Sequence, residues 1–181
     1  MAFEVTFQLT ESDLNHFRDV MRKAQDSAKH LSENVILSNA KNLINDVHDN
    51  VPEFVKERIS KLQVLIAMIE DDEWQIPEVE RNDVLSALAY FSEPEDLVPD
   101  DIPALGFLDD AIMIELVAGD LKDDIEAFEE FCSYREREKD RASETITKED
   151  WLDAKRRELH SRMRNRRSSR RSGGSSFRSI F

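Results

Sequence analysis

The sequence predicts an all-α protein: a compact bundle of about six helices with a short N-terminal strand, a further C-terminal helix and a disordered basic tail. Glycine and proline are scarce, with four and five copies in 181 residues, whereas sheet proteins need frequent turn residues. Hydrophobic residues make up 40% and charged residues 35% of the chain, which is typical of a soluble helical domain. Along most of the chain the apolar residues recur every three or four positions, the period of an amphipathic helix.

The first residues depart from this helical period. Phe3, Val5, Phe7 and Leu9 alternate with polar residues, which predicts a half-buried strand over residues 3–9. A single strand is not stable alone, so its partners must come from elsewhere in the chain or from a second copy.

Capping and proline signals predict where the first four helices begin. Residues 10–13 have the pattern of a capping box in which Asp13 replaces the usual glutamate. Ser32 precedes the second helix, and Pro52 and Pro77 suit the first turns of the third and fourth helices.

The fifth helix is predicted over residues 107–118, and Gly119 is expected to break it. Leu108, Ile112 and Leu116 share one face of this helix. We expect that face to pack at the centre of the core.

Two further helices and a tail complete the predicted organisation. The sixth helix starts near Asp120, and a capping pattern at 147–150 starts the seventh. From residue 165 onward Ser, Gly and Arg dominate, which predicts disorder. The expected segments are an acidic helical domain, a charged linker with the C-terminal helix, and a disordered Arg/Ser-rich tail, at 1–140, 141–164 and 165–181.

The segment at 90–114 concentrates residues that stiffen a backbone, because it contains three of the five prolines and one of the four glycines. Each proline fixes its own φ and keeps the preceding residue out of the helical region. Gly106 can adopt a backbone geometry closed to other residues at the entry to the fifth helix. The predicted rigid loop is defined by Pro94, Asp96, Pro99, Asp100, Asp101, Pro103, Gly106, Asp109 and Asp110.

The same segment carries a recognisable pattern. An aromatic residue is followed by Pro-x-Asp-Leu-Val-Pro at 94–99 and by Ile-Pro-x-Leu-Gly-Phe-Leu-Asp-Asp at 102–110. This pattern resembles the signature of the YkvA-like family of unknown function (DUF1232 domain), in its proteobacterial branch. Flanking segments extend the resemblance over about 3–134. The resemblance implies no activity that can be carried over to this chain.

Five aspartates of this segment have two interpretations. Asp96, Asp100, Asp101, Asp109 and Asp110 can gather oxygen ligands for a hard cation such as Mg²⁺. Alternatively they are turn and capping residues, the last two complementing the positive end of the fifth helix. Adjacent helical residues point about 100° apart, so the spacing gives the metal site little support. We expect no cofactor, and Mg²⁺ only under the metal interpretation.

Acidic and basic residues are concentrated in different parts of the chain. Residues 1–154 hold 15 Lys and Arg against 38 Asp and Glu, a balance of −23, while residues 155–181 hold ten basic residues and one acid. The basic part can bind a polyanion such as nucleic acid or an anionic membrane surface, or it can fold back on the acidic body. The candidate polyanion-binding residues are Arg162, Arg164, Arg166, Arg167, Arg170, Arg171 and Arg178.

Two single residues have a structural and a functional interpretation. Cys132 lies on an apolar and acidic helix, which predicts an unreactive thiol with a raised pKa. Trp74 can anchor a protein partner, or it can close one end of the helical core.

These observations favour a non-enzymatic interaction or adaptor protein with an unidentified protein partner. Its rigid Pro–Asp loop would shape a docking surface and its basic tail would seek a polyanion. Because the single cysteine cannot form an internal disulfide, we expect a cytoplasmic protein, with attachment to the inner membrane face as one option. A divalent-metal-dependent enzyme using the five aspartates and a nucleic-acid-binding protein acting through the tail are the two alternatives.

Overall fold

The predicted all-α class is confirmed by the computed structural model, which describes residues 8–47, 51–92, 107–138 and 148–172. The predicted strand at 3–9 falls almost entirely outside these residues. Within the described ranges the chain forms seven α-helices and a short 3-10 turn at Tyr90–Ser92. The helices are α1 Glu11–Ala28, α2 Glu33–Asp46, α3 Glu53–Glu70, α4 Glu78–Ala89, α5 Leu108–Asp120, α6 Lys122–Glu138 and α7 Lys148–Ser172.

The predicted helix starts are confirmed for the first four helices. Thr10 caps α1 in a capping box, because its hydroxyl accepts from the amide of Asp13 and the Asp13 carboxylate accepts from the Thr10 amide at 2.7 Å. Ser32, Pro52 and Pro77 stand at the N-cap positions of α2, α3 and α4.

Helix α3 lies at the centre of the fold and contacts α2, α4, α5 and α6. Its inward side chains include Leu62, Leu65 and Met68, which are fully buried. Helix α7 packs along α6 on the outside of this arrangement. Its apolar residues Leu152 and Leu159 belong to the same hydrophobic core as α3.

The prediction for the core face of α5 is wrong for two of its three residues. Leu116 is buried, but Leu108 and Ile112 are only half-buried, whereas Met113 and Val117 are fully buried. The fifth helix is apolar on most of its sides, so its sequence period does not identify the face that meets α3.

Gly119 does not break α5, contrary to the sequence prediction. The helix continues to Asp120, and the chain turns at Leu121 before α6 begins. Glycine lowers the stability of a helix interior by about 1 kcal/mol without ending the helix. A Cβ atom added to the exposed Gly119 would meet no side chain or neighbouring element within 4 Å, so no close approach requires glycine there.

Helix α7 also extends further than the sequence predicts. The sequence predicts disorder from residue 165, but the helix continues to Ser172. Arginine is a good helix former, and Arg166 and Arg167 are paired with carboxylates of other helices. The rest of the predicted tail, 173–181, lies outside the described residues. No helix in the described part of the chain is long and apolar enough to cross a membrane.

The corrected core face of α5 predicts different costs for two similar truncations. Met113→Ala should lower the free energy of unfolding by about 2–5 kcal/mol, because it empties a fully buried site. Ile112→Ala should cost clearly less, because Ile112 is half-buried. Denaturant unfolding of both variants measures this difference. The comparison is made in the full chain and in a chain without residues 1–7, which lie outside the described residues. Equal losses in the shorter chain, or a larger loss there for Ile112→Ala, would contradict the placement of α5.

Candidate functional site

A groove between α1, α2 and α4, which we call the α4 groove, has an apolar floor. The floor is formed by Ala28, Leu31, Ile36, Leu85 and Ala89, and the groove encloses about 650 Å³. Of these side chains, Leu31 and Leu85 are half-buried and the others are buried. The groove therefore offers apolar contact to a molecule that enters it.

Polar contacts between helices fix the walls of the α4 groove. The Gln25 side-chain amide in α1 donates to the carbonyl of Ser86 in α4 at 2.9 Å. On the other side, Arg81 of α4 pairs with Glu33 of α2 and donates to the carbonyl of Ile69 at 3.1 Å. These contacts hold α1, α2 and α4 at fixed positions relative to one another.

Charged side chains at the rim of the α4 groove pair with other charges of the protein. Lys29 lies 2.6 Å from the Asp26 carboxylate, and Asp83 pairs with Arg167 of α7. Each of these two acids has a cation beside it, which partly offsets the negative charge that would attract a metal ion.

Only two of the nine residues predicted to define the Pro–Asp loop are described. Asp109 and Asp110 lie in the first turn of α5 and are 3% and 5% exposed. This position suits the capping interpretation, because carboxylates are favourable near a helix N-terminus. The other members lie outside the described residues: Pro94, Asp96, Pro99, Asp100, Asp101, Pro103 and Gly106. Among the described residues no group of three or more His, Cys, Asp or Glu side chains is placed to hold a metal ion.

The entry to α5 contains an unusual backbone conformation. Phe107, at the N-cap position, has φ 64° and ψ 12°, in the left-handed region. A bulky residue rarely adopts this conformation, which costs on the order of 1–3 kcal/mol. The special backbone freedom that the sequence predicts at Gly106 stays a prediction, because Gly106 lies outside the described residues. The buried Phe107 ring anchors this strained entry in the core.

The basic residues of α7 face acidic residues of the protein itself. Arg162 pairs with Glu130, and Arg166 lies 3.1 Å from Glu126. Arg167 reaches Asp83 on α4. Arg164 is exposed, the side chains of Arg170 and Arg171 are not described, and Arg178 lies outside the described residues. Three of the candidate polyanion-binding residues are therefore engaged in ion pairs within the protein.

Lys155 strengthens the contact between α6 and α7. Its ammonium lies 2.9 Å from the Glu130 carboxylate and also contacts Glu158. The hydrogen bond to Glu130 raises the pKa of Lys155, and the same hydrogen bond lowers the pKa of Glu130. Both groups therefore stay charged over the neutral pH range.

Trp74, in the turn between α3 and α4, is enclosed by aromatic rings. It is fully buried, with its ring centroid 5.7 Å from Phe128, 5.2 Å from Phe131 and 4.4 Å from His160. Next to it, Arg156 of α7 donates to the carbonyl of Glu73 at 2.8 Å. Trp74 thus closes the core and is not an exposed partner anchor. No signal in the sequence indicates that His160 of α7 completes this cluster.

The environment of His160 favours its neutral form. Burial lowers its pKa to about 4, and the positive charges of Arg156 and Arg164 act in the same direction. A hydrogen bond with the backbone of Trp74 opposes this shift. The imidazole is therefore neutral at physiological pH and packs as an aromatic ring.

The same turn is held to α6 by an ion-pair network. Arg135 lies 2.8 Å from Asp71 and 2.9 Å from Glu73. The adjacent Cys132 is half-buried, and burial raises the pKa of its thiol. The direction of this shift agrees with the expected unreactive thiol, although burial contributes more than the acidic neighbours.

Residues 84–116 match the family model described as a protein of unknown function, DUF1232. This match supports the resemblance to that family. It covers the second half of α4 and most of α5, so it includes Leu85 and Ala89 of the α4 groove. The YkvA-like and proteobacterial details, and the wider resemblance over 3–134, stay predictions. No curated protein and no solved structure matches the chain.

The low pKa of His160 predicts a loss of stability as the pH falls. Between about pH 6.5 and pH 4 the unfolded imidazole binds a proton that the folded protein excludes, so protonation favours unfolding. The paired carboxylates of Glu130 and Glu115 have lowered pKa values, so their contribution is lost only at more acidic pH. Denaturant unfolding between pH 7 and pH 5 therefore samples the range in which the effect of His160 develops.

Substitution identifies the group responsible. His160→Gln and His160→Phe should both flatten the dependence of stability on pH in this window, whatever their stability at pH 7. Ser161→Ala, next to His160 on α7, is the control: it removes no titratable group and should leave the slope unchanged. If the parent protein and both His160 variants show the same slope, the account of His160 is wrong.

Proposed function

We propose that this chain, which carries the DUF1232 match at residues 84–116, is a non-enzymatic interaction or adaptor protein that docks a partner in the α4 groove. The observation that carries the proposal is the apolar floor of that groove, part of which lies within the matched residues. Its volume of about 650 Å³ lies within the range of about 300–1,000 Å³ that is usual for binding sites.

The expected occupant is a protein segment with apolar side chains flanked by lysine or arginine. Apolar side chains fit the floor formed by Leu31, Ile36 and Leu85. The basic flanks follow from the charge balance of −23 over residues 1–154, because such a body attracts cationic partners and repels anionic ones. Paired charges at the rim, such as Asp26 with Lys29, can exchange partners with the incoming segment.

A divalent-metal-dependent enzyme is the first alternative. Of its five candidate ligands, Asp109 and Asp110 are described, and their burial in the first turn of α5 suits a capping role. Asp96, Asp100 and Asp101 lie outside the described residues, so the alternative remains a proposal. It predicts a saturable rise in melting temperature with Mg²⁺, whereas the interaction proposal predicts none.

Attachment to nucleic acid or to an anionic membrane through the basic tail is the second alternative. The exposed Arg164 on α7 supports it. Arg162, Arg166 and Arg167 have partners within the protein, so a polyanion would compete with Glu130, Glu126 and Asp83. The cytoplasm remains the expected location, on the ground of the single cysteine, and attachment to the inner membrane face remains part of this alternative.

Site-specific cross-linking tests the docking proposal. A photo-reactive amino acid at Leu85 should give a discrete adduct with one protein in cell extract. The same residue at Val79, which is 62% exposed on the same helix, serves as the matched control and should not give this adduct. The recovered protein is then purified and its affinity for the parent chain is measured.

Substitution in the groove completes the test. Leu85→Lys should weaken binding of the recovered protein at least tenfold, because it places a cation against the apolar side chain and basic flank of the partner. Val79→Lys should leave the affinity unchanged, and Leu31→Lys provides a second groove variant in case Leu85→Lys does not fold. Identical adducts from positions 85 and 79, or unchanged affinity in both groove variants, would contradict the proposal.

A further inference from the structure

A second groove, which we call the α5 groove, lies between α1, α3 and α5. It is lined by the apolar residues Leu9, Leu14, Phe54, Leu108, Ile112 and Leu116 and encloses about 190 Å³. Leu9 and Phe54 are 37% and 39% exposed, which makes them two of the more exposed large hydrophobic side chains. Apolar walls of this kind are stabilised when another apolar group removes them from water.

Ion pairs define one edge of the α5 groove. Glu115 lies 3.1 Å from Arg58 and 2.7 Å from Lys61. The hydrogen bond from Lys61 lowers the pKa of Glu115, so the pair stays charged. A polar edge beside an apolar floor suits an occupant with one apolar and one polar side.

The N-terminal segment of the chain can supply an occupant of the α5 groove. Leu9 lines the groove directly before Thr10, and the capping box between Thr10 and Asp13 holds the start of α1. Thr10 has an extended backbone, with φ −83° and ψ 168°. The residues that precede Leu9 are therefore attached next to the groove.

The sequence of residues 3–7 fits this place. In an extended chain alternate side chains share a face, so an extended conformation would put Phe3, Val5 and Phe7 on the same side as Leu9, and Glu4 and Thr6 on the other side. Six residues of extended chain span about 20 Å. The α5 wall from Leu108 to Leu116 spans about 12 Å of helix, so the segment is long enough to follow it.

We propose that residues 3–7, which lie outside the described part of the chain, run along the α5 groove as an extended strap that seats Phe7, Val5 and Phe3 against α5. This proposal gives the period-two pattern of the N-terminus a partner without a second strand. In this arrangement residues 3–7 cover the half-buried side chains of Leu108 and Ile112 within the same molecule. The proposal is independent of the proposed function in the α4 groove.

Thiol labelling tests the strap without knowledge of any partner. In full-length protein with Cys132→Ser, single cysteines are introduced as Val5→Cys and Phe7→Cys on the inward side, and as Glu4→Cys and Thr6→Cys on the outward side. The inward thiols should react with a water-soluble maleimide at least tenfold more slowly than the outward thiols. Equal rates at all four positions would overturn the proposal.

Groove variants show where the inward residues are buried. Ile112→Lys and Leu108→Lys, each combined with Phe7→Cys, should raise the labelling rate at least fivefold, while Val79→Lys on the exposed side of α4 should leave it unchanged. Unfolding curves show whether each variant is folded. If one of the two groove variants does not fold, the other one is used for the test. The proposed strap would be overturned if the thiol of Phe7→Cys stayed protected in both folded groove variants. It would also be overturned if this protection appeared only at concentrations at which sedimentation shows a dimer.

Discussion

The arrangement of the C-terminal half depends on the aromatic contacts that bury Trp74. Its indole is fully buried where the α3–α4 turn meets α6 and α7, against Phe131 at 5.2 Å and His160 at 4.4 Å. An aromatic cluster of this kind fixes three elements at one point. Because His160 lies in the middle of α7, closing the cluster also sets the direction in which the rest of that helix runs.

The position of α7 determines which ion pairs its basic residues form. Once α7 lies along α6, its cations face the acidic body, and Arg162 and Arg166 find Glu130 and Glu126. Exposed pairs of this type contribute little singly, so the apolar contacts of Leu159 and the aromatic cluster stabilise the docked helix. The ion pairs mainly determine which partners the basic residues can still bind. The described residues that line the α4 and α5 grooves belong to α1–α5 and to the segment just before α1, so the docking of α7 leaves each groove open to the occupant proposed for it.

Local signals in the sequence are sufficient for much of the fold. The capping box at Thr10 and the prolines at 52 and 77 predict the starts of α1, α3 and α4 because these residues act through their own backbone neighbours. Features that depend on tertiary contacts are not predictable in this way. The sequence does not show which face of α5 meets α3, that α7 continues to Ser172, or that His160 reaches Trp74. The two grooves escape prediction because their walls come from helices distant in the chain.

Fluorescence of Trp74 most directly tests the claim that α7 is docked on the body through this cluster. In the Trp151→Phe variant Trp74 is the only tryptophan, and acrylamide quenching reports its exposure. In the full-length chain we expect blue-shifted emission of Trp74 with little quenching at both low and high salt, because the contact is apolar. When the chain is truncated before α7, we expect the emission to be red-shifted and strongly quenched. Strong quenching of Trp74 in the full-length chain, or quenching unchanged by the truncation, would contradict the claim.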